Sequence, residues 1–287
     1  KLNIMSNLPE LSKMFSNERC IGNLKSMLGK KATGVATSVL SVVNNNSLLQ
    51  KATPQSIYTS AMVAASLDLP INPNLGFAAI VPYGNTAQFQ IMGKGLVQLA
   101  IRSGQYQRIN NAVVYEGQLI KEDPFTGDYE FDFKAKISDK VIGYVAYFKT
   151  VGGFEKYYYM TVEEAMSHGK KYSKSFGKKN KYGEWSSLWQ TDQDSMCLKT
   201  VLKLLLSKFG ILSIEMQRAI RFDQSEIKGD INSVDNVDEL DAEYIDNDKE
   251  NEELDKEESE KIAAKFSDFE DVSDGGKKEE KKVADKK

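Results

Sequence analysis

The chain changes character at Phe222, and that change limits how much of it can fold around a core. Residues 223–287 hold only three aromatic side chains, Tyr244, Phe266 and Phe269, and blocks such as EYIDNDKENEELDKEESE are dominated by charge. Such a composition buries too little apolar surface to offset the entropy of ordering the chain. Residues 223–287 are therefore expected to be an acidic disordered tail, with a short helix around EKIAAKF and a flexible end in GGKKEEKKVADKK. The folded body is expected in residues 1–222, enough for one large domain or two small ones. The chain opens on Lys1 rather than Met, so a few residues are expected to precede it.

The same boundary divides the charge. Residues 1–222 carry 27 Lys/Arg against 17 Asp/Glu, and residues 223–287 carry 11 against 24, so a net charge of −3 hides a basic body and an acidic tail. A basic body favours a polyanionic partner, nucleic acid first. The tail reads as a partner-binding arm or as a competitor for the body's own basic surface. Two cysteines, Cys20 and Cys197, without paired spacing point to a reducing compartment. KATGVATSVLSVV is too short and too polar to span a membrane or to act as a signal peptide, so a cytoplasmic protein without a membrane partner is expected.

Within the body, apolar residues recur at helical spacing over the first seventy positions: Leu8, Leu11, Phe15; Leu24, Met27, Leu28; Val35, Val39, Val42, Val43; Ile57, Ala61, Ala64, Ala65. LDLPINPNLGFAAIVPYGNTAQFQ then changes style, and FAAIV and AQFQI predict a hairpin turning at Tyr83-Gly84-Asn85. After Gly104, the runs YQRINNAVVYEG, YEFDFKAKI, VIGYVAYFKT and FEKYYYM predict an antiparallel meander. TVEEAMSHGKKY predicts a helix with Thr161 and Glu164 as a capping box. TDQDSMCLKTVLKLLLSKFG predicts the final helix, capped by Thr191 or Asp192 and stopped by Gly210. The fold class is α+β: a helical region over 1–70, then a core over 71–222 in which an antiparallel β-meander is flanked by groove-lining helices.

QFQIMGKGLVQLAIRSG, residues 88–104, reads as an amphipathic helix on which Gln90, Lys94, Gln98 and Arg102 recur every four residues. Each step turns about 40°, so the four groups form one slanting ridge opposite Met92, Leu96, Leu99 and Ala100. Lys199 and Lys203 are also four apart, with Ser207 next on that face and Leu198, Val201, Leu202, Leu205 and Leu206 on the other. The two stripes are expected to form opposite walls of a groove. Between them HGKKYSKSFGKKNKYGEWSSLW holds six lysines, one acid and five aromatics. Lysines such as Lys170, Lys171, Lys174 and Lys178 suit phosphates, and aromatic rings can stack on unpaired bases, although Trp185 and Trp189 are expected to return to the core.

Covalent chemistry is poorly served. His168 is the single histidine, no His/Cys cluster has zinc spacing, and neither a phosphate-binding loop nor a dinucleotide fingerprint is present. Gly93-Lys94-Gly95 sits inside the ridge helix without the phosphate-loop pattern. No catalytic residue, metal ligand or cofactor is expected. EDPFTGDYEFDFK contains Asp123 and Asp132-Phe133-Lys134, compatible with a Mg²⁺-dependent nuclease. Strand alternation explains these residues more cheaply, with Tyr129, Phe131, Phe133 and Ala135 on one face and Glu130, Asp132, Lys134 and Lys136 on the other.

LDLPINPNLGFAAIVPYGNTAQFQIMGKGLVQLAIRSGQYQRINNAVVYEG, together with WQTDQDSMCLKTVLKLLLSKFG, resembles the RecT branch of the RecT/Redβ family of phage single-strand annealing proteins. The resemblance spans residues 20–215 and is most specific in NPNLGFAAIVPYG, GKGLVQLAIRSG and CLKTVLKLL. It implies ATP-independent binding of single-stranded DNA, assembly into rings or helical filaments, and annealing of complementary strands to duplex during recombination in a bacterial host. It also implies a phage exonuclease and a single-strand binding protein as partners of the tail. Under it Lys94, Gln98 and Arg102 line one wall, Lys199 and Lys203 the other, the lysines from 170 to 181 gate the strand, and Arg108 adds a contact from the neighbouring strand. A passive single-strand coat protein and a Mg²⁺-dependent nuclease are the alternatives.

Overall fold

The computed structural model describes residues 7–228, apart from 124 and 181, together with 240–244. Four helices open it: α1 (Leu8–Ser16), α2 (Glu18–Leu28), α3 (Ala32–Asn44) and α4 (Pro54–Ser66). Local chemistry fixes the starts of α2 and α4. The Asn17 side chain accepts from the Arg19 amide, and the Thr53 hydroxyl accepts from the Ser56 amide with Pro54 in the first turn. The first three helices each bury one stripe, Leu11 with Phe15, Cys20 with Leu24, and Val39 with Val43. α4 is buried at every position from Ile57 to Ala65 and packs against α1 and α2, which in turn carry α3. Each fully buried Leu or Ile stabilises this region by about 1.5–3 kcal/mol.

β1 (Ala78–Tyr83) and β2 (Thr86–Ile91) form the expected hairpin, with Gly84 at φ +57° in the turn, a conformation costly for any other residue. The Ser60 hydroxyl on α4 donates to the Ala87 carbonyl and anchors the hairpin on the helical region. Pairing continues to Ala78↔Ile91, so strand alternation wins through Ile91 and the helix expected from Gln88 is shorter. It is α5, Gly93–Arg102, and Gln90 belongs to β2, opposite Ala79. Gly93-Lys94-Gly95 therefore stands at the helix N-terminus rather than inside it.

Five strands follow: β3 (Tyr106–Tyr115), β4 (Leu119–Asp123), β5 (Asp128–Phe131), β6 (Val141–Thr150) and β7 (Glu155–Thr161). The sheet is antiparallel, but it has the order β3-β6-β7, and β4-β5 is a separate hairpin. The expected strand through Ala135 stops at Phe131 because Asp132 turns the chain: its carboxylate accepts the Lys134 amide at 2.8 Å and its carbonyl the Ala135 amide at 3.0 Å. The hairpin lays Tyr129 and Phe131 over Val114, Val145 and Tyr159, a small second core on the outer face of the sheet.

α6 (Val162–Tyr172) begins on the expected capping box, in which the Thr161 amide donates to Glu164 at 2.8 Å and the Glu164 amide to the Thr161 hydroxyl at 3.2 Å. α7 (Leu188–Thr191) precedes α8 (Gln193–Phe209), which lies against the inner face of the sheet with Val201, Leu202, Leu205 and Leu206 buried. Trp189 is core, as expected. Trp185 is not: it is 48 % exposed, with the Lys179 ammonium 4.3 Å from its ring centroid.

α8 ends at Gly210 as expected but is not the last helix. α9 (Ile214–Phe222) starts on Ser213, whose hydroxyl accepts the Met216 amide, and buries Met216, Ala219 and Phe222. Nor does order stop at Phe222. Asp223 and Ser225 are buried, the Gln224 amide donates to the Phe89 carbonyl, and β8 (Ser225–Lys228) pairs antiparallel with β9 (Asp241–Tyr244). Composition missed this because a few buried contacts anchor an otherwise charged stretch. The rest of the expected tail, 229–239 and 245–287, lies outside the described residues.

Candidate nucleic-acid interface

α5 and α8 face one another across a cavity of about 610 Å³. Gly93, Lys94, Val97 and Gln98 line it from α5, Ser195, Met196, Leu198, Lys199 and Leu202 from α8, and Asn111 from β3. The close approach that builds it depends on Gly95: a Cβ there would lie 2.1 Å from the Phe77 carbonyl oxygen, so only glycine lets α5 sit this near the start of β1. α8 is pinned at its head by the Tyr144 hydroxyl, which donates to Asp194 at 2.7 Å, and midway by the Asn111 side chain, which donates to the Leu198 carbonyl at 3.0 Å. Burial and the Asp194 hydrogen bond push the Tyr144 hydroxyl well above its ordinary range, so it remains a donor.

The two walls differ in kind. Lys94 is exposed in the first turn of α5, its stem lying over Gly76, a left-handed residue at φ +70°. Met92 gives this helix no side-chain cap, and the first amides of a helix have no partner within it, so the positive end of α5 opens on the cavity. Across from it Lys199 is only 7 % exposed, and its Nζ has no hydrogen-bond partner. Burial holds its amine below the ordinary lysine range; the Asp223 carboxylate pulls the other way and the Lys203 ammonium adds to the lowering. The expected separation of a lysine face from a leucine face on α8 fails at Lys199 because the helix is buried on more than one side, with Lys199 and Thr200 inside beside the leucines.

The other residues expected in the groove are dispersed. The Lys203 ammonium pairs with the Asp223 carboxylate, whose other oxygen accepts the Ile91 amide at 3.0 Å. Arg102 does not share the cavity with Lys94 and Gln98. The slant of the ridge carries it to the far end of α5, where its guanidinium donates to the Leu67 carbonyl at 2.6 Å and closes the C-terminus of α4. Arg108 is exposed on the outer face of the sheet, opposite Lys149, in the field of Glu155, which accepts from the Tyr147 hydroxyl at 2.6 Å. Lys170 and Lys171 occupy the last turn of α6 and Lys174 follows it; Lys178 is exposed, 5.7 Å from the ring centroid of Tyr83. Sequence reasoning missed Asn111, Ser195 and Asp223. Asn111 alone carried a signal, a polar residue on the inward side of a strand.

The carboxylates of the nuclease alternative do not converge. Asp123 pairs with Asp128 at the closed end of the β4-β5 hairpin, and Asp132 lies four residues further on, roughly 13 Å along a strand. Amides of Thr126 and Phe125 hold the Asp123 carboxyl below its usual range, a turn-forming role. Among the described residues no three His, Cys, Asp or Glu side chains are grouped to hold a metal, and no helix is long and apolar enough to cross a membrane.

A family model described as RecT family matches residues 33–239, which takes in α3 to α9 and both cavity walls. The chain belongs to the RecT family. The uncharacterized protein YqaK of Bacillus subtilis (strain 168) is 45 % identical over 256 residues, 89 % of this chain and 84 % of that protein. Protein RecT of Escherichia coli (strain K12) is 29 % identical over 184 residues, 59 % of this chain and 63 % of that protein. Membership of the RecT family brings single-strand annealing in recombination as the general activity, the work of a DNA-binding, self-associating protein rather than of a conventional enzyme.

Proposed function

We propose that the protein anneals complementary single strands without nucleotide hydrolysis, as an oligomeric ring or filament that holds one strand by its phosphates along the groove between α5 and α8. The observation that carries this reading is the cavity itself, with Lys94, Gln98 and an uncapped helix N-terminus on one wall and Lys199 on the other. Helix amides and lysines bind phosphate without reading sequence, which annealing of arbitrary strands requires. A strand gripped by its backbone leaves its base edges free to test an incoming strand. Neutralised phosphates repel less, and pre-ordering removes part of the entropy lost on pairing. Stacking and base pairing then supply the driving force.

In this reading Lys203 is held in reserve by Asp223 and adds a contact when a phosphate competes for it. Lys170, Lys171, Lys174 and Lys178 supply further positive charge, and Arg108 serves a different face from the groove. The body supplies DNA binding and self-assembly, whereas the acidic segment recruits a phage exonuclease and a single-strand binding protein in the host cytoplasm.

Two fluorescently labelled complementary oligonucleotides, mixed with the protein without ATP or Mg²⁺, test the proposal. Pairing faster than the spontaneous rate, with both strands intact on a denaturing gel, is the expected result. Binding without acceleration would leave a passive coat protein, and shortening of the strands on adding Mg²⁺ would return the nuclease.

A further inference from the structure

We infer that the cavity between α5 and α8 seats a single phosphate group, and that Lys199 takes up a proton as that phosphate arrives. The inference rests on the strand-binding reading and adds to it a proton that exposed lysines would not supply.

The geometry begins with an unpaired atom. Lys199 Nζ is buried and without a hydrogen-bond partner on a wall of the cavity. A permanent ammonium there would leave a charge out of water and unpaired, which proteins avoid by losing the proton. The charged groups around it do not reverse this. Asp223, just after α9, has one carboxylate oxygen on Lys203 and the other on the Ile91 amide. Lys203 on the same helix repels a second positive charge. On the remaining walls Lys94 from α5 is positive and Asp192 at the head of α8 is exposed, while β3 and the start of β1 contribute only Asn111, Gly76 and Phe77.

The cavity nonetheless favours an anion. The uncapped N-terminus of α5, a ten-residue helix, opens on it through Gly93 and Lys94, with Gln98 and Ser195 as further donors. A phosphate bound at the helix end brings the negative charge that Lys199 lacks, and protonation then gains a charge-assisted hydrogen bond instead of costing an unpaired charge. A nucleobase in the same space would bring no such charge.

The sign follows from linkage. If the bound state holds one more proton than the free state, affinity falls as pH rises between the two midpoints, at most about tenfold per pH unit, and levels off below the lower midpoint. Lysines that stay charged in both states contribute salt dependence alone.

The full-length protein, labelled with ¹³C and ¹⁵N in lysine and with the Lys199 signal assigned through K199R, is titrated by NMR free, with inorganic phosphate, and with an oligothymidylate. Calorimetry of oligothymidylate binding in two buffers of different ionisation heat counts the protons taken up. In the free protein Lys199 should titrate below every exposed lysine, and ligand should raise its midpoint. If phosphate alone raises it, the seat accepts the free ion; if the strand alone does, the seat needs the polymer. Either result supports the inference. Wild type should take up a substantial fraction of a proton, and K199R, charged throughout, and K199M none. Lys199 titrating with the exposed lysines, neither ligand moving it, or uptake persisting in K199R and K199M would overturn the seat. Failure of the wild type to bind any oligonucleotide would instead overturn the strand-binding reading, while the free-protein and phosphate titrations still judge Lys199.

Discussion

Asp223 and Lys203 form an ion pair that joins the end of α9 to the middle of α8, with the carboxylate 1 % and the lysine 24 % exposed. The same carboxylate holds the Ile91 amide, so one side chain ties together three segments around the cavity. Asp223→Ala should lower unfolding stability by about 2–4 kcal/mol in urea titrations, somewhat under the loss for a fully buried pair, because Lys203 can turn to water. Asp223→Asn keeps an acceptor for Ile91 and should recover part of that loss. Equal losses in both variants would show that the amide contact contributes nothing.

Lys94 and Arg102 belong to one sequence ridge but to different tasks. Lys94→Ala should leave the melting temperature unchanged and reduce the salt dependence of single-strand binding by about 0.7 in log-log slope for the lost phosphate contact. Arg102→Ala should cost about 1–2 kcal/mol through the uncapped Leu67 carbonyl, with the slope preserved. The reverse pattern would place the strand at the other end of α5.

Lys199 also ties stability to pH. Its amine is held below its ordinary value of 10.5 in the folded protein, so between the lowered value and 10.5 the unfolded chain binds more protons than the folded one. Stability from this group therefore rises with pH across that window and is lost as pH falls through it. The urea midpoint of wild type relative to Lys199→Met should climb from neutral pH toward pH 10. A pH-independent difference would show that Lys199 is charged in the empty fold.

Gly95→Ala places a methyl group against the Phe77 carbonyl, which cannot yield without moving β1. A loss of about 1–3 kcal/mol or more is expected, with weaker single-strand binding because the α5 wall must retreat. Wild-type stability and binding in this variant would mean that α5 packs differently.

Much of this fold was legible in the sequence, and what was not has physical causes. The first four helices follow from their apolar stripes, the β1-β2 hairpin from Gly84, and α6 from Thr161 and Glu164, since each signal is local. The start of α5 was misplaced because Gln88–Ile91 satisfies both periods, and only pairing with Ala78–Val81 decides between them. Lys199 and Lys203 were recognised as a pair on one helix, but their surroundings are set by Asp223 and Asn111, which are distant in sequence. Asp223 was itself hidden by the acidic composition that follows it.

That last point separates two truncations. Removing residues 246–287 should leave the thermal melting of the body unchanged and tighten single-strand binding at low salt, the gain fading as salt screens the removed acidic charge over about 8 Å. Removing residues 223–287 should lower the melting temperature sharply, because it takes away Asp223 and the β8-β9 pair. Equal melting temperatures would return the boundary of the body to Phe222.

The Asp223 contact to Ile91 spans 132 residues of chain. A ribosome delivers the helical region, the hairpin and the α5 wall long before it delivers α8, α9 and the carboxylate that locks them. Contacts of such separation close late in folding as well as in synthesis. Under the groove reading proposed above, the nascent chain holds Lys94 and the open end of α5 before it holds the wall that would face them across a strand. On that reading a two-sided grip on nucleic acid forms only after α8 and Asp223 have left the ribosome.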